Sequence, residues 1–158
     1  MTFDRTTAPL HALLQQAEAE RDAAEAERLA AHGAQQSARA QHAELLDYRG
    51  EYERRYAAQF ARGAAGIDIV RCYQGFMQRL AQAIEQQARV LRHAESRHEA
   101  ASRALQAHEL RVASIRKLIE RRLAEGQRAA GRREQRQADE AAARFGARPA
   151  GALALRGV

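Results

Sequence analysis

The sequence predicts an all-α protein, a long antiparallel coiled-coil hairpin of two helices. Only two prolines occur, Pro9 and Pro149, so the 139 residues between them contain none of the residue that breaks a helix interior. Alanine (38 residues) and arginine (25 residues) dominate the 158-residue chain, a composition typical of long helices. β-Branched residues are scarce and no alternating run predicts a strand, which excludes a mixed α/β enzyme fold.

The first helix is predicted over about residues 8–60, with Thr7 as its cap and Pro9 in its first turn. Two glycines lie between Ala61 and Asp68, which predicts a turn over 61–68 with Asp68 as the cap of the next helix. The second helix then runs over about 69–145, and a loose tail follows at 146–158. We therefore expect residues 1–158 to form a single coiled-coil domain.

The second helix carries a heptad seam that starts at Val70 and ends at Arg122. Alternate steps of three and four residues give sixteen positions, of which twelve are apolar, and this pattern predicts a supercoil with a partner helix. The positions are Val70, Tyr73, Met77, Leu80, Ile84, Gln87, Leu91, Ala94, His98, Ala101, Leu105, His108, Val112, Ile115, Ile119 and Arg122.

The first helix carries a weaker seam of mainly alanine and tyrosine, through Leu10, Leu14, Ala17, Ala24, Ala31, Ala38, Leu45, Tyr48, Tyr52, Tyr56 and Phe60. A short turn makes the helices antiparallel neighbours, so facing residues share a constant sum of their two residue numbers. That index sum is 129 for pairs such as Ala38 with Leu91 and Tyr56 with Tyr73. In this register the first helix ends near residue 120 of the second, which leaves about 123–145 unpaired.

No motif for catalysis, cofactor binding or metal binding is found, and we expect no enzyme activity and no small-molecule substrate. His93 and His98 are five residues apart, which is not the spacing that places two ligands on one helix face. Cys72 is interpreted as a small packing residue, and a single cysteine fits a reducing compartment. The opening residues do not form a secretory signal and no apolar run is long enough to span a membrane, so we expect a cytoplasmic protein.

Two surfaces could bind partners. Six of the eight aromatic residues flank the turn, and the four-residue spacing of Tyr48, Tyr52, Tyr56 and Phe60 drifts about 40° per step, so some rings must face solvent. They either plug the end of the hairpin or form a partner-binding patch. The stretch 111–136 holds nine basic and three acidic residues, which is a solvated face by default and otherwise suits an acidic protein surface.

Three segments resemble the flagellar FliJ family. They are Leu45-Leu46-Asp47-Tyr48-Arg49-Gly50-Glu51-Tyr52, the segment from Tyr73-Gln74-Gly75-Phe76 to Gln87, and Arg133-Glu134-Gln135-Arg136-Gln137-Ala138-Asp139-Glu140. The resemblance implies a coiled coil similar to the stalk of rotary ATPases, located in the cytoplasm and peripherally associated with the membrane at the flagellar base. It implies three partners: the hexameric flagellar export ATPase, the cytoplasmic domain of the membrane export gate, and export chaperones.

The same resemblance implies two sets of binding residues. The positions that match the gate-binding surface are Gln41, Leu45, Tyr48, Tyr52, Phe76, Leu80 and Ala83. Periodicity also places Leu45, Tyr48, Tyr52 and Leu80 in the seam, so either they are core residues with exposed edges or the helices splay near the turn. We expect splaying for the tyrosines, because their four-residue spacing rotates them outward. Gln87 occupies a position where a histidine can stand. By analogy with rotary stalks, the basic segment that includes Arg121, Arg122, Arg128, Arg132, Arg133 and Arg136 would contact the ATPase.

Two alternatives stay open. One is the equivalent stalk of a virulence type III secretion system. The other is a basic coiled coil that binds nucleic acid or an anionic membrane through residues 61–158, which carry a net charge of +9 against −3 for residues 1–60. Nucleic acid is the less favoured partner, because no aromatic residue lies between Phe76 and Phe145 to stack on bases.

Overall fold

A computed structural model describes residues 3–63 and 66–146 of the chain. It contains two helices, α1 over Phe3–Ala61 (59 residues) and α2 over Ile67–Gly146 (80 residues), and no strand within these ranges. The two helices pack against each other as a helical hairpin, which confirms the predicted all-α fold class. The tail predicted after Gly146 lies outside the described residues.

The start of α1 differs from the prediction. The helix begins at Phe3, so Thr7 lies inside it and does not cap it, and Pro9 is also an interior residue. Thr7 is buried, with 5% of its surface exposed, and it occupies the heptad position that precedes Leu10. Extending α1 towards the N-terminus buries Thr7 as one more seam residue. Pro9 is tolerated inside the helix because it lies on the exposed side, away from the packed face.

The turn depends on glycine at Gly63. Gly63 has a φ of 68°, in the left-handed region that favours glycine, and its amide donates to the carbonyl of Phe60 at 3.1 Å to close the end of α1. The carbonyl of Gly66 accepts hydrogen bonds from the amides of Ile69 (3.0 Å) and Val70 (3.3 Å) at the start of α2. Asp68 is therefore not the cap that the sequence suggested. It lies in the first turn, where a carboxylate is favoured by the helix dipole.

The chain divides into two compact units, one formed by Ala17–Val112 and the other by Met1–Gln16 with Ala113–Val158. In the unit Ala17–Val112, the α1 residues buried at the interface are alanines: Ala17, Ala31 and Ala38. The buried α2 residues are Leu80, Ile84, Ala94 and Val112. Small side chains on one helix accept larger ones from the other, as the predicted pairing of Ala38 with Leu91 requires.

Contacts between the helices of this unit confirm the predicted register. The rings of Tyr56 and Tyr73, whose index sum is 129, have centroids 4.3 Å apart. Other contacts have sums of 128 to 130, including the hydrogen bond between Gln41 and Gln87 (3.1 Å) and the ring contact between His32 and His98 (5.1 Å). The ion pairs Arg39–Glu95 (3.3 Å) and Arg97–Glu27 (3.0 Å) have index sums that differ from 129 by five, because their longer side chains reach across more than one turn.

Polar residues complete the seam of α1, and the apolar pattern did not reveal them. Half-buried residues fill the heptad positions between the alanines and leucines: Arg21, Arg28, Gln35, His42 and Arg49. Arginine and glutamine can cover apolar surface with their methylene groups while the polar end stays in water. This explains how a chain with few large apolar residues covers the seam of α2.

In the unit formed by Met1–Gln16 with Ala113–Val158, heptad residues of both helices are also shielded from solvent. Ile115 and Ile119 are buried, and Leu10 and Leu14 are half-buried. Gly126 is also buried, and Ala124, Ala129 and Ala130 are half-buried. The predicted start of the unpaired segment at 123 was therefore wrong. Exposure becomes continuous at Gly131 and lasts to Gly146, and this segment is helical throughout.

Replacing a seam residue of the unit Ala17–Val112 should destabilise the protein. Ile84 is 8% exposed, so Ile84→Ala removes buried methyl groups, leaves a cavity and is expected to lower the free energy of unfolding by about 2–5 kcal/mol. Val90 is 47% exposed, and Val90→Ala is expected to change this free energy by no more than about 0.5 kcal/mol. Urea denaturation followed by circular dichroism measures both. Equal effects of the two substitutions would contradict the seam.

The single coiled-coil domain over residues 1–158 stays a prediction. It requires both compact units to unfold in one transition. Fluorescent labels placed separately in the two units would report this during the same denaturation. Two separate midpoints would identify two domains.

Candidate functional site

Aromatic rings line the interface between the helices next to the turn. The ring centroids of Tyr52 and Phe76 are 4.7 Å apart, and those of Phe60 and Tyr73 are 5.7 Å apart. These contacts cross from α1 to α2 and keep the helices packed, which favours core residues with exposed edges over helices that splay near the turn. Tyr48 is 45% exposed, so the cluster both fills the interface and presents one ring to solvent.

The seven residues that match the gate-binding surface lie on one face of this region, which we call the loop-end face. With Gln87 they form four facing pairs that each have an index sum of 128: Gln41–Gln87, Leu45–Ala83, Tyr48–Leu80 and Tyr52–Phe76. Two of these pairs are in direct contact, through the hydrogen bond of Gln41 with Gln87 and the ring contact of Tyr52 with Phe76.

The seven residues that match the gate-binding surface differ in their exposure to solvent. Gln41, Tyr48 and Ala83 are exposed, while Leu45, Tyr52 and Phe76 are half-buried. Leu80 is 7% exposed and belongs to the core. A partner can therefore contact three of the seven fully and three by their edges, and Leu80 can act only by supporting the face from below.

An open groove of about 400 Å³ lies on the loop-end face. Its lining residues are Gln41, Glu44, Leu45, Tyr48 and Gln87. Gln87 is fixed there because its amide donates to the carbonyl of Ala38 (3.2 Å) as well as to Gln41. Sequence reasoning missed Glu44, and the only signal available was its spacing of three residues from Gln41, which places both on one side of the helix. Amides, a carboxylate and a phenol suit hydrogen bonding to a polar protein surface.

Tyr48 and Tyr52 are coupled by a hydrogen bond. The Tyr48 hydroxyl donates to the Tyr52 hydroxyl at 3.2 Å. This hydrogen bond, followed by the charge that Tyr52 would carry and by partial desolvation, raises the pKa of Tyr48 above its ordinary value. The guanidinium of Arg55 lies 5.5 Å from the centre of the Tyr52 ring, within cation–π distance. The two phenols are thus held in a defined arrangement.

The arginines of the predicted ATPase-binding set are all exposed. At 100° per residue, Arg121, Arg122, Arg128, Arg132, Arg133 and Arg136 fall within an arc of about 140° on α2. We call this arc the arginine face. Arg122 pairs with Glu125 on the same helix (3.5 Å), and Gln135 donates to Asp139 (3.0 Å). The face is predominantly positive and suits an acidic partner.

Two features concern chemistry rather than recognition. Cys72 is exposed, so it is not the packing residue that the sequence suggested. His98 Nδ1 is buried without a hydrogen-bond partner, an arrangement that costs about 1–3 kcal/mol unless it is satisfied. No group of three or more potential metal-binding side chains occurs within 3–63 and 66–146. Over those same ranges neither helix has an apolar stretch sufficient to cross a bilayer.

The hydrogen bond between Tyr48 and Tyr52 should be visible in a tyrosine titration. Tyr52→Phe removes the acceptor oxygen, and the pKa of Tyr48 should then fall towards the ordinary value of about 10. Because the hydrogen bond raises the pKa of Tyr48 in the folded state, its stabilising effect is present below about pH 10 and is lost as the pH rises through the raised value. Tyrosinate absorbance against pH measures the change.

Tyr73→Phe is the control for this titration, because it also removes one phenol but leaves the Tyr48–Tyr52 pair intact. It should reduce the amplitude and leave the late-ionising tyrosine in place. A late ionisation that persists in Tyr52→Phe would contradict the proposed cause.

Comparison with known proteins identifies a family for this chain. A family model described as the flagellar FliJ protein matches residues 6–151, which spans both helices and the turn between them. No curated protein and no solved structure is significantly similar to the chain. Because the family model covers nearly the whole sequence, the chain belongs to the flagellar FliJ family and is a component of the flagellar export apparatus.

Proposed function

We propose that this chain is a non-enzymatic stalk of the flagellar type III export apparatus. It binds the hexameric export ATPase and the cytoplasmic domain of the export gate, and it escorts export chaperones. The observation that carries this proposal is the family match across both helices, from residue 6 to residue 151. It acts in the cytoplasm, peripherally associated with the membrane at the flagellar base.

The loop-end face is the proposed gate-binding surface. Its exposed phenol, Tyr48, is flanked by the groove that Gln41 and Gln87 line. Tyrosine is enriched among residues that dominate binding energy, because it combines a large apolar ring with a hydroxyl that can hydrogen-bond. The ring contacts beneath it hold the surface rigid before binding, which reduces the entropy lost on association.

The arginine face is the proposed ATPase-binding surface. Its six guanidinium groups are exposed, and guanidinium groups bind carboxylates with two parallel hydrogen bonds. Complementary charge of this kind accelerates association and selects an acidic partner. The exposed segment from Gly131 to Gly146 includes the last three of the six arginines and is accessible to a partner along its whole length.

The match to a flagellar family favours the flagellum over a virulence secretion system. Binding of nucleic acid or anionic membrane through the basic half remains a different class of function. It predicts affinity that falls steeply with salt and no affinity for the export ATPase.

Gate binding is tested with Tyr48→Ala. We expect the affinity for the isolated cytoplasmic domain of the export gate to fall by about tenfold or more, since an exposed aromatic at the centre of the face is removed. The melting temperature should stay close to that of the wild type, because Tyr48 is 45% exposed. Calorimetry and thermal melting measure the two quantities.

Val90→Ala is the matched control, because Val90 is an equally exposed apolar residue outside the loop-end face. Tyr52→Ala separates a core role from a binding role. A large melting loss with unchanged gate affinity makes Tyr52 a core residue only. Unchanged gate affinity in Tyr48→Ala would refute the loop-end face as the gate-binding surface.

ATPase binding is tested with the double substitution Arg132→Glu and Arg133→Glu. Reversing two charges on the arginine face should slow association with the export ATPase and weaken binding, most strongly at low salt. Surface plasmon resonance at several salt concentrations measures both effects.

The control changes net charge by the same amount elsewhere, with Arg89→Glu and Arg103→Glu. These arginines pair with Glu85 (2.9 Å) and Glu99 (3.1 Å) within α2. Equal weakening by both double variants would indicate non-specific attraction, and no weakening by the first would exclude the arginine face. In cells, deletion of the gene should abolish swimming motility if the proposed function holds.

A further inference from the structure

We propose that His32 and His98 form a binding site between the helices for a divalent transition metal ion of the zinc class. His32 belongs to α1 and His98 to α2, and their index sum of 130 makes them neighbours in the register. Their ring centroids are 5.1 Å apart, with an angle of 50° between the ring planes. The site is distinct from the loop-end face and from the arginine face.

The separation of the rings fits a shared ion. Zinc binds imidazole nitrogen at about 2.0–2.1 Å with tetrahedral angles, and two imidazoles bound in this way have ring centroids roughly 5 Å apart. The observed 5.1 Å is close to this separation, so rotation of the two rings about their side-chain bonds, without movement of a helix, would direct a nitrogen of each ring at one ion. Imidazole is a preferred ligand for zinc, nickel and copper ions and a poor one for magnesium or calcium.

The hydrogen bonding of His98 supports the same site. Its Nδ1 is buried and has no partner among the described residues, although a neutral imidazole offers one donor and one acceptor nitrogen. The nearby Ser102 hydroxyl does not satisfy it, because that hydroxyl donates to the carbonyl of His98 at 2.8 Å. A ring whose hydrogen bonding is incomplete loses less on binding a metal than one that must first break hydrogen bonds.

Access and charge also allow an ion to bind. His32 is exposed and His98 half-buried, so an ion would enter from the side of His32 and keep water there. Because His98 Nδ1 is buried, the His98 ring must turn towards His32 to bind the same ion. Three arginines of this region are each paired with a carboxylate: Arg97 with Glu27 (3.0 Å), Arg39 with Glu95 (3.3 Å) and Arg103 with Glu99 (3.1 Å), while the half-buried Arg28, four residues before His32, adds a positive charge. This pairing reduces repulsion of a cation. It also explains why no carboxylate adds a third protein ligand, so the site should be weak and exchangeable.

Binding at this site would join the two helices at the middle of the unit Ala17–Val112. An ion that binds only the folded hairpin stabilises it in proportion to the logarithm of its concentration over its dissociation constant. The ion would thus fix the register where the seam of α1 consists mainly of alanine.

The test uses Zn²⁺ with the full-length chain from which any purification tag has been removed. Calorimetry should detect one Zn²⁺ per chain, and the melting temperature should rise with Zn²⁺ concentration. His32→Gln should weaken Zn²⁺ binding at least tenfold and remove the melting shift. Because His32 is exposed, this variant should melt like the wild type without Zn²⁺.

His93→Gln is the matched control, since His93 is an exposed histidine of α2 only five residues from His98. It should bind Zn²⁺ like the wild type. His98→Gln tests the second ligand, and loss of binding in both His32→Gln and His98→Gln supports a shared ion. The proposal is refuted if the wild type binds no Zn²⁺, or if His32→Gln binds it as tightly as the wild type does.

Discussion

The heptad packing of a narrow, alanine-rich seam on α1 against a bulkier seam on α2 determines the rest of this structure. Every residue of α1 from Thr7 to Tyr56 at a heptad position is buried or half-buried, although five of these positions hold arginine, glutamine or histidine. Such a seam has few large apolar side chains to bury, so its stability depends on keeping one register over many turns. A slip of one residue towards the C-terminus of α1 would replace Ala17, Ala24 and Ala38 at the interface with Glu18, Glu25 and Arg39.

This register also decides which side chains of the proposed binding surface reach solvent. Tyr48 and Leu80 face each other near the turn, yet one is 45% exposed and the other 7%. Tyr48 lies four residues before Tyr52 and so falls outside the heptad positions Leu45, Arg49 and Tyr52, whereas Leu80 stays in the seam. The ring of Tyr48 is therefore exposed on the proposed recognition surface because the tyrosines repeat every four residues, whereas heptad positions alternate in steps of three and four. The proposed surface consists of residues of the two helices.

The same geometry brings together residues that are distant in the sequence. His32 and His98 belong to different helices and come into ring contact because the chain reverses at Gly63. Gln41 and Gln87 meet for the same reason, and their hydrogen bond lines the groove of the loop-end face. An antiparallel hairpin thus offers composite sites along its length, each built from one side chain of each helix.

The sequence by itself determined the fold class, the seam of α2 and the register, because heptad periodicity is a local property that proline-free helices express directly. It also indicated the family, which the match over residues 6–151 bears out. Only the tertiary structure decided that Thr7 and Asp68 lie inside helices, that continuous exposure of α2 starts at Gly131, and that Glu44 and Gln87 line a groove. A helix end depends on whether one more turn buries surface against its partner, and the exposure of a side chain depends on what faces it. Neither the end of a helix nor the exposure of a side chain can be predicted from the sequence of one helix alone.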